Sequence, residues 1–362
     1  MDASLDPIEP VSQRLGRFVE AQRSSWADAG RETQLFLDAA ARTLEGGKRL
    51  RARFCVTGWQ AVAEARGPVA AAPDSVLDAA AALEIFHAAA LVHDDIIDNS
   101  DTRRGQPAAH RGLEAAHARA GWAGDAAAFG RSAAVLLGDL LVAWSDDLLE
   151  QGLRTAEHAA SAREVYALMR REVTVGQFLD IAEEAAFTTA PDAEHAERAL
   201  RVASLKSARY SIQHPLLLGA ALAGGDAAQT AALAAFGHPL GLAFQLRDDV
   251  LGVFGDSAVT GKPSGDDLRE GKRTLLIAYA RERLDRPTKR LVDELIGDPG
   301  LDAAQIASLQ QTIIDTGALD RVETAISHYA AEADRALRGA PLSTPAVGAL
   351  RDLAQAAIAR SS

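Results

Sequence analysis

The stretch "LEIFHAAALVHDDIIDNSDTRRGQP", residues 83–107, begins as almost uncharged helix-forming sequence and closes in four aspartates and two arginines. Asp94 and Asp98 are four residues apart, so on a helix they share one face a turn apart. His87, seven residues before Asp94, falls close to the same stripe, while Asp95 is rotated by roughly 100°. Carboxylates this close repel by several kcal/mol at an effective dielectric of about 20, so something cationic should offset them. The acids also sit at a helix C-terminal end, where the dipole disfavours negative charge. Magnesium suits the pattern, because it takes one or two carboxylates and keeps its other positions for water or phosphate. Arg103 and Arg104 follow at once, and arginine grips phosphate in a bidentate fork. Alone, the acids also read as a helix end entering a solvated loop, and the arginines as an exposed loop. Together they read as a metal-assisted diphosphate site at the end of an apolar helix.

Working outward, helical periodicity runs almost from end to end of the 362 residues, without convincing strand alternation. Hydrophobic residues make up 48% of the chain and aromatics only 5%, a mix that favours helices. Loops are expected at 64–75, 99–112, 119–130, 223–226, 254–272 and 297–300, none long enough for an interdomain linker. The expectation is a single all-α domain over 1–362, with a motif-bearing core at about 30–280 and C-terminal helices at 281–362.

Cys55 is the lone cysteine, which excludes an intrachain disulfide framework and fits a reducing cytoplasm. The start "MDASLDPIEPVSQ" lacks the basic and apolar regions of a signal peptide, and no run approaches the roughly 18 apolar residues of a membrane span. A net charge of −12 argues against nucleic acid as partner. It also means that anionic substrates need local basic clusters or metal ions.

One such cluster is "EGGKRLRARF", residues 45–54. Two glycines that permit close backbone approach precede Lys48, Arg49, Arg51 and Arg53 at a helix start. Lys48 and Arg51 can face one way, although the run also reads as an ordinary basic helix edge. A second acidic cluster lies in "GLAFQLRDDVLGVFGD", residues 241–256, with Gln245, Asp248 and Asp249 near one helical face. The glycine-rich loop that follows carries Lys262 and Lys272, suited to a flap over an anion. Upstream, "SLKSARYS" offers Lys206 and Ser207.

In this order the pieces resemble the trans-prenyltransferase family, the head-to-tail isoprenyl diphosphate synthases. The resemblance spans residues 45–275 through GGKRLR, LEIFH, DDIID with RRGQP, LLGDLL, GQFLD, LKS, FQLRDD, GKPSGDD and EGKRT. It implies an all-α bundle around a deep central cavity, usually as a homodimer. Asp94 and Asp98, supported by Asp95, would hold two of three Mg²⁺ ions on the allylic diphosphate. Asp248, aided by Asp249, would hold the third. Arg103, Lys206, Lys262 and Lys272 would contact the allylic diphosphate, and Lys48, Arg51, His87 and Arg104 isopentenyl diphosphate. Ser207 and Gln245 would turn oxygen dipoles to the developing carbocation, and the released diphosphate would take the proton.

One departure stands out. The family's second motif usually reads DDxxD, but here it is "DDVLG", with Gly252 in the last place, which puts a metal role for that position in doubt. Product length should follow the bulk beneath the first cluster. Ala90, Ala89 and Ala88 leave the floor open toward geranylgeranyl diphosphate or longer, unless Phe86 plugs it one turn deeper. The alternatives are a farnesyl diphosphate synthase, or a non-catalytic subunit of a heteromeric synthase, for which Gly252 is the one favouring feature. A terpene cyclase would need none of Lys48, Arg51 and Arg104. An unrelated helical scaffold would bind no diphosphate.

Overall fold

The structure, a computed structural model, describes residues 8–69, 71–256 and 264–359. It divides into two compact units, Met1–Ala162 with Leu218–Gly224, and Arg163–Leu217 with Gly225–Ser362.

The first unit is built on α4 (Asp74–Ile97). This helix follows α1 (Glu9–Ser25), α2 (Arg31–Thr43) and α3 (Leu50–Ala63), and precedes α5 (Ala109–Ala120) and α6 (Ala126–Leu153). Apolar residues surround α4, so it is buried rather than amphipathic; Val76, Leu83, Ile85, Phe86 and all its alanines but the half-buried Ala90 are in the core. The alanines let neighbouring helices come close. A Cβ on Gly152 of α6 would lie 2.6 Å from the Asp78 Cβ of α4, so only glycine fits there. The helix α6 starts where the Asp125 side chain accepts from the amides of Ala127 (2.8 Å) and Ala128 (3.1 Å), an N-cap.

By length and composition alone, α4 and α6 are both apolar enough to cross a membrane, which the sequence reading above did not anticipate; 72% of the α4 window is buried in the fold and 28% of the α6 window. Scattered polar residues such as Glu84 and Asp139 hide these windows from a search for uninterrupted apolar runs.

The second unit takes α7 (Ala159–Ala186) from Arg163 onward, then α8 (His195–Val202), a π-helix (Ala203–Gln213), the start of α9 (His214–Leu222), whose residues 218–222 belong to the first unit, and α10 (Ala227–Phe254). The helix α10 opens in a capping box between Asp226 and Gln229. Its Gly237 and Gly241 bracket Pro239 and admit the π-helix. A Cβ on Gly241 would lie 2.4 Å from the Ala208 carbonyl oxygen, and one on Gly237 2.9 Å from the Gln213 Cα. The unit finishes with α11 (Asp266–Glu270), α12 (Leu275–Arg283), α13 (Arg286–Leu295), α14 (Ala303–Asp315), α15 (Ala318–Ala336) and α16 (Thr344–Ile358). Leu246, Val250, Leu276, Ile277, Leu309 and Val322 form its core.

The all-α reading holds, with two local additions. The expected loop at 99–112 contains a small antiparallel hairpin, β1 (Thr102–Arg103) with β2 (Gln106–Pro107), and the loop at 254–272 contains α11.

Candidate functional site

In the first unit, α4 delivers the first aspartate cluster. Asp98 is its C-cap, donating its N–H to the Asp94 carbonyl at 2.8 Å, and Asn99 leaves the helix at φ 53°. Asp94 and Asp98 are half-buried on one face, whereas Asp95 is buried. The hairpin then brings Arg103 back over the cluster. Its Nε donates to Asp95 Oδ1 at 2.8 Å, its Nη2 meets the same oxygen, and Nη2 also lies 3.9 Å from Asp94 Oδ2. Arg103 therefore supplies the positive charge that the acids require at a helix C-terminus.

Arg104 and Gly105 form the two-residue hairpin turn, both left-handed with φ 53° and 72°, as the twist of such hairpins demands. Arg104 has a different partner from Arg103. Its Nη1 donates to the Glu45 carbonyl at 3.2 Å, and its Nη2 lies 3.0 Å from where a Cβ on Gly47 would sit. The glycine pair of "EGGKRLR" thus makes room for an arginine of a distant motif.

The basic run and the hairpin converge around His87. Burial, then Arg51, Arg104, Arg103 and Arg49, hold its ring well below the usual imidazole range, so it is neutral at pH 7. Lys48 is exposed and Arg51 buried. Glu84, also buried, anchors the start of α3: its Oε1 accepts from the Ala52 amide at 3.0 Å, and its Oε2 lies 3.8 Å from Arg49 Nη1. Four arginines around a neutral imidazole make a strongly cationic setting for an anion.

Beneath Asp94, the same face of α4 carries Ala90 and then Phe86, a span of ~12 Å of helix rise. Ala89 lies elsewhere. It is 1% exposed and shares its face with His93, whose Nε2 lies 3.2 Å from the Val135 carbonyl of α6. Ala89 therefore packs toward α6. A Cβ on Gly138 would come within 2.1 Å of His93 Nε2, which explains the glycine of "LLGDLL".

In the second unit, "GQFLD" and "LKS" meet. A Cβ on Gly176 of α7 would lie 2.3 Å from the Lys206 amide nitrogen of the π-helix. One turn on, Asp180 Oδ2 accepts from Lys206 Nζ at 2.6 Å and from Lys272 Nζ at 3.2 Å; Lys272 also donates to Glu184 Oε1 at 2.9 Å. Ser207 follows on the π-helix, half-buried. Lys262 lies outside the described residues.

On α10, Gln245 Nε2 donates to Asp249 Oδ1 at 2.7 Å. Asp249 is buried, and burial pushes its carboxyl up to about 7 despite that hydrogen bond, with Asp248 and Asp180 adding to the rise. Asp248 is half-buried. The two acids thus differ: Asp249 faces inward and fixes Gln245, leaving Asp248 as the outer carboxylate.

Among the described residues, no three His, Cys, Asp or Glu side chains form a ready metal cage. Mg²⁺ fits such a donor set, since it binds through one or two hard carboxylates and completes its shell with water and substrate phosphate.

Several residues went unsingled by sequence reasoning: Glu84, His93, Asp180 and Glu184. Asp180 and Glu184 had a signal, their i,i+4 spacing in and after "GQFLD". Glu84 and His93 look like isolated polar residues on an apolar helix, and only packing reveals their partners.

A family model described as polyprenyl synthetase matches residues 33–313. A geranylfarnesyl diphosphate synthase of Aeropyrum pernix is 32% identical over 300 residues, covering 82% of this chain and 84% of that protein. A short chain isoprenyl diphosphate synthase of Methanocaldococcus jannaschii is 31% identical over 233 residues, 64% of each chain. A crystal structure of geranylgeranyl pyrophosphate synthase from Corynebacterium glutamicum, complexed with isoprenyl diphosphate and magnesium, superimposes with a TM-score of 0.92 at 39% identity, covering 99% of this chain and 100% of that one.

Proposed function

The chain belongs to the polyprenyl synthetase family and is a trans-prenyltransferase, and we propose that it joins isopentenyl diphosphate head-to-tail to an allylic diphosphate, making geranylgeranyl diphosphate or a longer all-trans product. The observation that carries this reading is the end of α4, where Asp94 and Asp98 emerge from an apolar helix under Arg103, with four arginines around neutral His87 nearby.

In this reading Asp94 and Asp98 hold two Mg²⁺ ions and Asp248 a third, with Asp95 and Asp249 in support. When bound, the metal neutralises charge on the leaving diphosphate. Lys206, Lys272, Lys262 and Arg103 bind the same diphosphate. Lys272 and Lys206 are already paired to Asp180, so substrate phosphate takes over donors aimed in advance. Lys48, Arg51, Arg104 and His87 bind isopentenyl diphosphate; a neutral imidazole can donate one hydrogen bond without adding to the repulsion among the arginines. Ser207 and Gln245 place oxygens toward the allylic cation, and Asp249 orients the Gln245 amide by holding its nitrogen. The apolar wall of α4 keeps water from the cation. The proton lost in the last step passes to the released diphosphate.

Ala90, with Phe86 a turn below it, sets the floor for the growing chain. The names of the relatives, geranylfarnesyl and geranylgeranyl synthases, support a product of that size. The reading also includes a single domain over both units, a cytoplasmic location, which the free buried Cys55 suits, and a homodimer. Leu136 on α6 is 61% exposed and Phe178 on α7 66%. Large apolar side chains left in water this way mark contact surfaces, and a second copy would cover them; sedimentation of the purified protein tests this.

The reaction is tested by incubating the protein with labelled isopentenyl diphosphate, magnesium and dimethylallyl, geranyl or farnesyl diphosphate in turn. Elongation to geranylgeranyl length or beyond is expected. A stop at farnesyl length keeps the synthase and overturns the open floor. No elongation by folded protein overturns the reading in favour of a non-catalytic subunit.

A further inference from the structure

Lys272 is held at its tip, since Asp180 and Glu184 of α7 both accept from its ammonium. Its backbone lies in the short segment 271–274 that joins α11 to α12 and begins at Gly271 with φ 82°. Glycine at its start leaves such a segment free to take other paths unless something fixes it. The residue after Lys272 supplies the hold. The Arg273 side chain is 7% exposed, and its guanidinium lies 3.5 Å over the ring of Phe187. Phe187 is the first residue after α7, so this stack ties the segment to the helix that carries Asp180 and Glu184. Arg273 Nη1 also donates to Asp293 Oδ1 and Nη2 to the Ile296 carbonyl, both at 3.3 Å.

These partners belong to the end of α13, where the chain is already closely packed. The Gly297 amide donates to the Leu268 carbonyl of α11 at 2.8 Å, and a Cβ on Gly271 would lie 3.2 Å from the Gly297 Cα. Asp293 is fixed in turn by Arg281, whose Nε and Nη2 donate to its two oxygens at 2.8 and 3.0 Å. Burial brings the Arg273 guanidinium down to about 10, with Asp293 opposing, so it stays charged at neutral pH.

We infer that Arg273 is a positioning residue for Lys272: stacked on Phe187 and bonded to Asp293 and Ile296, it fastens the 271–274 segment to the C-terminal end of α7 and so directs the Lys272 ammonium to the allylic diphosphate. The inference rests on the diphosphate synthase reading, which gives Lys272 that ligand, and deepens it. Arg273 acts through its neighbour, so its effect depends on that neighbour. Once Lys272 is gone, loss of Arg273 has nothing left to misplace.

A contribution to packing alone is the rival, so kinetics and stability are read separately. Arg273→Met keeps most of the length and an apolar contact with Phe187, but removes both hydrogen bonds and the charge. Lys272→Met removes the ammonium, and the double variant closes a cycle. Arg321→Met is the control, because Arg321 stacks at 3.6 Å on Tyr279 of α12 and lies 2.8 Å from Glu282 without adjoining Lys272. KM for geranyl diphosphate and KM for isopentenyl diphosphate are measured for each protein well below its melting temperature. Arg273→Met should raise KM for geranyl diphosphate about tenfold, the order of one hydrogen bond to a charged group, and leave that for isopentenyl diphosphate within about twofold. Lys272→Met should do at least as much, and the double variant no more than Lys272→Met. Arg321→Met should lower the melting temperature and change neither KM.

Should Arg273→Met fail to fold, the same cycle is run with Arg273→Lys, which keeps the charge but loses the planar stack; a rise of about threefold is expected, and none without Lys272. An unchanged KM for geranyl diphosphate, an equal rise in both KM values, or full additivity in the cycle overturns the inference. So does a matching rise in Arg321→Met, since loosening around α12 would then explain both. If wild type elongates no primer, the synthase reading falls first and takes this inference with it.

Discussion

Asp180 and Lys206 are joined by a 2.6 Å hydrogen bond one helical turn beyond the point where the Lys206 backbone presses on Gly176. Gly176 brings α7 against the π-helix, and Asp180 then fixes the ammonium groups of Lys206 and Lys272. Replacing Asp180 with asparagine removes the charge that gathers both lysines. Steady-state assays should show kcat lower by about 100-fold, the scale that misplaced binding groups produce, with folding retained by circular dichroism. Activity within twofold of wild type would show that substrate phosphate alone orders the lysines. Gly176→Ala should instead destabilise the fold by about 1–3 kcal/mol, because a methyl group meets backbone rather than a flexible side chain.

Product length offers a separate test on α4. Ala90 lies directly below Asp94, while Ala89 is packed toward α6 with His93. Ala90→Phe should therefore shorten the main product by at least one isoprene unit, and Phe86→Ala should lengthen it, as read by mass after dephosphorylation. Ala89→Phe should lower the melting temperature instead, since it overpacks a closed helix contact. A change of product length with Ala89→Phe in a normally stable protein would reverse this assignment of faces.

These two cases show what was legible in sequence. Asp94, Asp98, Arg103 and the basic run announced themselves because charge in apolar surroundings and i,i+4 spacing are local signals. The all-α fold was equally plain from periodicity. Contacts between distant segments left no such trace. Nothing in "EGGKRLR" says that Gly47 receives Arg104, nor does "DDVLG" say that Asp267 fills the space at Gly252. The hairpin at 102–107 escaped notice because its turn is Arg-Gly rather than the usual Asn-Gly, with Arg104 itself left-handed.

Cys55 yields a prediction about reactivity. It is wholly buried on α3, and burial pushes its thiol up to about 12. The nucleophile in alkylation is the thiolate, so native protein at pH 8 should not react with iodoacetamide over hours, whereas unfolded protein should be labelled completely. A Cβ on Gly219 would lie 1.9 Å from the Cys55 carbonyl oxygen, so the chain at 219 packs tightly against this turn of α3. Rapid labelling of native protein would mean that the core around α3 opens readily.

His214 tests the balance between burial and a charged partner. Its Nε2 lies 2.7 Å from Glu172 Oε2, a geometry that invites a proton, yet burial outweighs the carboxylate and holds the imidazole below its ordinary value. A folded-state value below the unfolded one means that the unfolded chain binds the extra proton first as pH falls. The stabilising contribution is therefore complete above the unfolded value of about 6.5 and declines as pH drops below it. His214→Gln can still donate to Glu172 but does not titrate. Between pH 7.5 and 5.5, urea unfolding of wild type should therefore lose more stability than that of the variant. If the variant loses more than wild type instead, His214 gains a proton on folding and Glu172 prevails over burial.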